Sequence, residues 1–188
     1  MNAFLRKKDV VVSFRRYAVD AMGAMTLGLF ASLIMGLIFR EIGTRAGIEF
    51  LVEIGAYAHG ATGFAMGIAV AYGLKAPPLV LFSAAAVGFA GNALGGPAGA
   101  LVAAIVATEF GKIVSKETKV DIIVTPVVTL VTGIGAAMLI GPPISLAMDA
   151  IGSFIMWSTD LMPAVMGAVV AVVMGMLLTS PLSSAAIA

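Results

Sequence analysis

The eighteen residues Met22-Gly23-Ala24-Met25-Thr26-Leu27-Gly28-Leu29-Phe30-Ala31-Ser32-Leu33-Ile34-Met35-Gly36-Leu37-Ile38-Phe39 carry no charge. At about 1.5 Å per helical residue, a run of this kind nearly matches the roughly 30 Å hydrocarbon core of a bilayer. The bases before it, Arg6, Lys7, Lys8, Arg15 and Arg16, resemble the head of a secretory signal. The apolar run is too long for a signal core of about 7–15 residues, so it reads as a retained membrane span.

The rest of the chain agrees. Hydrophobic residues make up 61% and charged residues 11% of the 188, and the mean hydropathy is +1.10. Soluble domains are about 45–50% apolar and about 25% charged. A water-soluble core cannot cover that excess, whereas a bilayer dissolves it. Eleven Lys and Arg against ten Asp and Glu give a net charge of +1, with no basic excess for nucleic acid. No cysteine is present, which excludes disulfides, thiolate metal sites and phosphocysteine chemistry on this chain.

Working outward, Tyr17–Phe39 is the first expected span and Ile54–Leu74 the second. The second ends at Lys75-Ala76-Pro77-Pro78, where consecutive prolines block helix continuation. Leu79–Leu94 and Ala98–Val114 are shorter apolar runs joined by Gly95-Gly96-Pro97. They are either two thin spans or the arms of a re-entrant hairpin over 79–114. Asp121 opens the next span, Ile122–Ile140, where a carboxylate suits the positive end of the helix dipole. Gly141-Pro142-Pro143 is expected to end that span. Ile144–Leu161 follows as an amphipathic stretch that could lie along the interface with Trp157 as anchor, and Pro163–Leu178 is the last full span. The expected fold is all-α, a polytopic transmembrane helical bundle of about six spans. Residues 1–16 form a basic cytoplasmic N-terminus and 17–188 the membrane domain. The close on Ala185-Ala186-Ile187-Ala188, without a polar tail, leads to the expectation that this domain is truncated at its C-terminus.

Basic residues in short loops prefer the cytoplasm. With the N-terminus inside, and the paired short runs returning to their starting side, nine Lys and Arg fall inside and only Arg40 and Arg45 outside. The expected location is therefore the cell (inner) membrane, with a cytoplasmic N-terminus.

A polar residue within a span is costly and so marks a candidate pathway. His59, the single histidine, could bind sugar hydroxyls, relay a proton, or hold two helices together. Asn92 offers two donors and an acceptor suited to a hydroxylated ligand. It lies in a glycine-rich stretch with Gly91, Gly95, Gly96 and Pro97, which reads either as an unwound membrane turn or as close helix packing. Glu109, three residues before Lys112, reads as an intrahelical ion pair or as part of a vestibule. Asp20 follows Arg16 by four residues and is expected to pair with it. No catalytic constellation, phosphate loop or metal-ligand cluster is found, and no cofactor is expected.

Four segments, Leu74-Lys75-Ala76-Pro77-Pro78-Leu79-Val80-Leu81-Phe82-Ser83, Gly95-Gly96-Pro97, Val114-Ser115-Lys116-Glu117-Thr118-Lys119-Val120-Asp121-Ile122-Ile123-Val124-Thr125-Pro126 and Gly141-Pro142-Pro143-Ile144, carry a resemblance. From about Asp20 to Ala188 the chain resembles bacterial phosphotransferase-system sugar permeases of the IIC type. The resemblance implies a homodimer that moves a sugar-like solute inward. Separate IIA and IIB phosphocarrier proteins would relay phosphate from phosphoenolpyruvate, the phosphocysteine lying on another chain. Better-known IIC families carry a Gly-Ile-Thr-Glu-type sugar motif, which is absent here, so no binding residue carries over. The rival readings are a transporter or channel uncoupled from phosphotransfer, and a membrane sensor or lipid-binding regulator.

Overall fold

The computed structural model describes residues 3–10, 12–159, 167, 171, 172 and 175, and the described residues form helices and turns with no strand. After a short helix α1 (Ala3–Lys7), a long helix α2 runs over Arg16–Ala46, 31 residues with two π-helical segments at Arg16–Ala21 and Phe30–Ile34. Two of its hydroxyls are satisfied within the helix: Thr26 Oγ1 donates to the Met22 carbonyl at 3.0 Å and Ser32 Oγ to the Gly28 carbonyl at 2.7 Å. Gly47 ends α2 in the left-handed region at φ 69°, a conformation that costs glycine little.

The chain then reverses. Helices α3 (Glu49–Gly60) and α4 (Thr62–Gly73) run back along α2, bent by 48° across the single linking residue Ala61. Small residues set this antiparallel register. A Cβ placed on Gly36 would lie 2.7 Å from the His59 backbone nitrogen, and one on Gly28 would lie 2.7 Å from the Ala65 carbonyl oxygen. Without a large interior for lipid to be expelled from, close backbone approach of this kind is what holds membrane helices together.

Pro78–Val114 is hydrogen-bonded as one helical segment, but Gly95 (φ −147°, ψ 19°) and Gly96 (φ 61°, ψ −160°) are not helical. A Cβ on Gly91 would lie 2.8 Å from the Ala100 Cα. Nine residues of uninterrupted helix would hold those positions about 13.5 Å apart. The segment therefore folds back on itself as a hairpin, with arms α5a (78–94) and α5b (97–114). The reversal falls on the expected Gly95-Gly96-Pro97 turn, because the Gly96 backbone conformation is open essentially to glycine alone.

Helix α6 (Asp121–Thr159) packs its first half against α5b: Gly133 meets Ala107 Cβ, and Gly141 meets Leu94 at the hairpin turn. Asp121 accepts from the Lys116 amide (2.7 Å) and from Thr125 Oγ1 (2.6 Å), as an acidic opening residue should. The expected break at Gly141-Pro142-Pro143 does not occur, and the helix continues through both prolines to Thr159. Proline's fixed φ near −65° is helical, and its loss is a hydrogen bond and an unstrained carbonyl, which membrane helices accommodate.

Among the described residues, three segments are long and apolar enough to cross a membrane, Arg16–Ala46, Asp121–Ser153 and the hairpin segment Pro78–Val114, or four if the bent pair is one span. The expected count of about six is not confirmed. Two of the six are the short runs that form the arms of the hairpin, counted above as one segment, and Pro163–Leu178 lies outside the described residues apart from isolated positions. The core has two parts: Ala21, Met25, Met66, Val70, Leu74, Ala100 and Ala104 join α2, α4 and α5b, while Val87, Ala103, Ala107 and Ala137 join the hairpin to α6.

Candidate functional site

Polar side chains gather at two levels. The first is the open end of the hairpin, on the side of the N-terminus. Here Lys112, 2% exposed, donates from Nζ to the Asp9 carbonyl (2.6 Å) and the Leu74 carbonyl (2.8 Å). Arg16 reaches the same Leu74 oxygen at 3.0 Å and forks onto the Asp9 carboxylate at 2.6 and 3.1 Å. Two cations thus meet the carbonyl end of α4, where the helix dipole is negative. The N-terminal segment, α4 and α5b are tied at one point.

Glu109 is buried between these cations but only at ion-pair range, 3.8 Å from Arg16 Nε and 3.9 Å from Lys112 Nζ. Both its oxygens and Arg16 Nε are buried without a hydrogen bond. The expected Glu109–Lys112 pair is therefore present but long, because Lys112 spends its donors on backbone carbonyls. The expected Arg16–Asp20 pair is replaced: Asp20 is exposed, and Arg16 turns to Asp9 and Glu109.

Asp9 lies ahead of the spans, and the Arg16 guanidinium, helped by the Lys112 charge, lowers its pKa from 3.8 to about 2. A carboxylate depressed on folding contributes stability that is present above its unfolded pKa and is lost as pH falls toward the folded value. The unfolding midpoint should accordingly drop between about pH 4 and pH 2. Asp9→Asn should flatten that part of a pH–stability profile measured in detergent, and an unchanged slope would count against the pairing.

The second level lies toward the closed end of the hairpin. Half-buried Asn92 sits on α5a against α4, its Cβ 3.2 Å from where a Gly63 side chain would begin. One turn away, Phe89 stacks on Phe64 with ring centroids 4.6 Å apart. Gly63 is two residues past the Ala61 bend and His59 two residues before it. Thr62 Oγ1 donates to the His59 carbonyl at 2.6 Å, satisfying one backbone group freed by the bend. The His59 side chain is exposed, while its backbone packs on Gly36.

His59 thus lies just before the break between α3 and α4, and Asn92 packs beside Gly63 just after it, three residues ahead of the turn formed by Gly95, Gly96 and Pro97. Glu109 is not with them: it sits about 18 Å from the turn along α5b. Asp9 and the Leu74 carbonyl were not singled out in the sequence, and Arg16 was given a different partner, Asp20. No local pattern marks the Arg16–Leu74 and Lys112–Asp9 contacts, whose partners lie 58 and 103 residues apart.

Nothing among curated proteins or solved structures matches this chain. The model of a family described as "Phosphotransferase system, EIIC" matches residues 19–188, nearly the whole chain, which therefore belongs to that family of membrane components.

Proposed function

We propose that the chain is the IIC-type permease subunit of a phosphoenolpyruvate-dependent phosphotransferase system, binding and moving a sugar or similar hydroxylated solute across the cell membrane. Family membership carries this reading. It fits a polytopic helical chain with a broken helix and a hairpin turn at membrane depth, since irregular backbone is tolerated there only when buried in protein or lining a wet cavity. None of these 188 residues is a cysteine, so this reading assigns the phosphocysteine to a IIB unit outside them and phosphate transfer to the phosphocarrier partners. In this reading the N-terminus lies in the cytoplasm, which the nine-to-two distribution of bases supports, and the working unit is a homodimer.

Of the residues first singled out, Asn92 and His59 are the pathway candidates, with the glycine turn shaping the wall beside them. Glu109 belongs to the charged cluster at the opposite end of the hairpin. Uptake of a panel of labelled sugars into cells carrying the full-length protein, with and without phosphoenolpyruvate-dependent carriers, tests the reading. Uptake of one sugar that needs phosphoenolpyruvate and appears as sugar phosphate is expected. Uptake indifferent to phosphoenolpyruvate would replace it with an uncoupled transporter, and saturable binding without flux with a sensor. Asn92→Ala should weaken binding of that sugar about tenfold, the worth of one or two hydrogen bonds, with an unchanged unfolding midpoint.

A further inference from the structure

A cavity of about 360 Å³ opens where α1, the start of α5a and the loop after α5b meet. Lys7, Lys8, Lys112 and Lys116 line it, with Asp9 and Glu117 as the acids. Both acids are already engaged. Asp9 is held by Arg16 and Lys112, and Glu117 pairs with Lys8, whose ammonium also donates to the Ser115 carbonyl at 2.5 Å. Lys7 and Lys116 make no ion pair with any described residue, so the lining side chains carry a surplus of two positive charges, the Asp121 carboxylate that accepts from the Lys116 amide lying outside the lining. In a concavity bounded by low-dielectric protein such charges reinforce each other's field.

Three further features converge here. The non-glycine residues with positive φ among the described residues are Asp9 (54°), Lys75 (57°) and Lys116 (62°). Two of these line the cavity and the third is two residues from Pro77, which also lines it. Such backbone costs energy and collects where a ligand is clamped. Pro77 is moreover the N-cap of α5a and supplies no side-chain cap, so the positive end of that helix is turned toward the cavity wall. The adjacent N-terminal segment exposes Val12 (79%) and Phe14 (76%) immediately before the first span, which suits the boundary between headgroups and acyl chains.

We propose that this cavity is a binding site for a phosphate ester at the membrane interface. Lysines act on phosphate as point charges, and the volume exceeds that of a bare ion, leaving room for the esterified part. The ester is either the headgroup of an anionic lipid or a soluble phosphate compound. The site is independent of the transported solute and of its pathway near Asn92.

The full chain in nanodiscs distinguishes the sources. Unfolding midpoints are measured in phosphatidylcholine alone, in phosphatidylcholine with phosphatidylglycerol, and in phosphatidylcholine titrated with glycerol 3-phosphate. A rise of about 4 °C or more is expected with one of the two probes. A response to phosphatidylglycerol alone assigns the site to a lipid headgroup, and a response to glycerol 3-phosphate assigns it to a soluble ester. The Lys7→Gln/Lys116→Gln variant should lose the rise while keeping the wild-type midpoint in plain phosphatidylcholine. Lys75→Gln/Lys119→Gln, which removes equal charge from the same end outside the cavity, should retain it. No rise with either probe, or an equal loss in both variants, overturns the site.

Discussion

Replacing Lys112 by methionine is expected to lower the unfolding free energy by about 3–5 kcal/mol, the range for removing one partner from a buried charged cluster. Methionine keeps the length and apolar stem of lysine but none of its donors. The Asp9 and Leu74 carbonyls lose the ammonium that now lies 2.6 and 2.8 Å from them, and Glu109 is left with Arg16 as its only close cation. A thermal or denaturant titration of the solubilised protein measures the loss. Part of the cost comes from the carboxylate, whose oxygens have no hydrogen bond. Adding Glu109→Gln to Lys112→Met should therefore recover a measurable fraction. Strict additivity in the double variant would show that Glu109 and Lys112 are not coupled.

Gly67→Leu should be nearly as damaging, by a different route. A Cβ at position 67 would stand 2.8 Å from the Gly88 Cα and 2.9 Å from its nitrogen, and would also run into the Ala84 carbonyl. Backbone atoms cannot rotate aside as a side chain can, so α4 and the hairpin must separate. Overpacking of this kind costs about 1–3 kcal/mol or more, and here it also shifts Gly63 away from Asn92. The folded fraction recovered from size-exclusion chromatography should fall sharply. Gly135→Leu, on α6 with nothing within 4 Å of the added Cβ, should leave it near wild type. Equal behaviour of the two variants would refute the close α4–hairpin seam.

The helical membrane character was readable because it depends on long apolar runs, and the hairpin turn because Gly95-Gly96-Pro97 concentrates residues that cannot continue a helix. The Ala61 bend was not readable, for no proline marks it and the flanking Gly60 and Gly63 also fit ordinary small-residue packing. Prolines misled in the opposite direction at Gly141-Pro142-Pro143, where helical φ and a protein neighbour at Leu94 outweighed the lost hydrogen bonds. Of the candidate site, Asn92 was legible as a polar residue in a glycine-rich run, but its packing on Gly63 was not, because that contact depends on how α4 meets the hairpin. The company Glu109 keeps was hidden: local spacing offered Arg16 a partner four residues on, whereas burial gave it Asp9 and Glu109.

The tie between Lys112 and Asp9 also has a schedule. Its partners are separated by 103 residues of chain, which a ribosome adds in about 5–20 s. Through that interval α2 and the bent pair must reside in the bilayer with the N-terminal segment held by the local Arg16–Asp9 fork alone. Closure waits for the last turns of the hairpin to emerge, so the fastening of the N-terminal segment is a late event in biogenesis and reports that the hairpin has been placed.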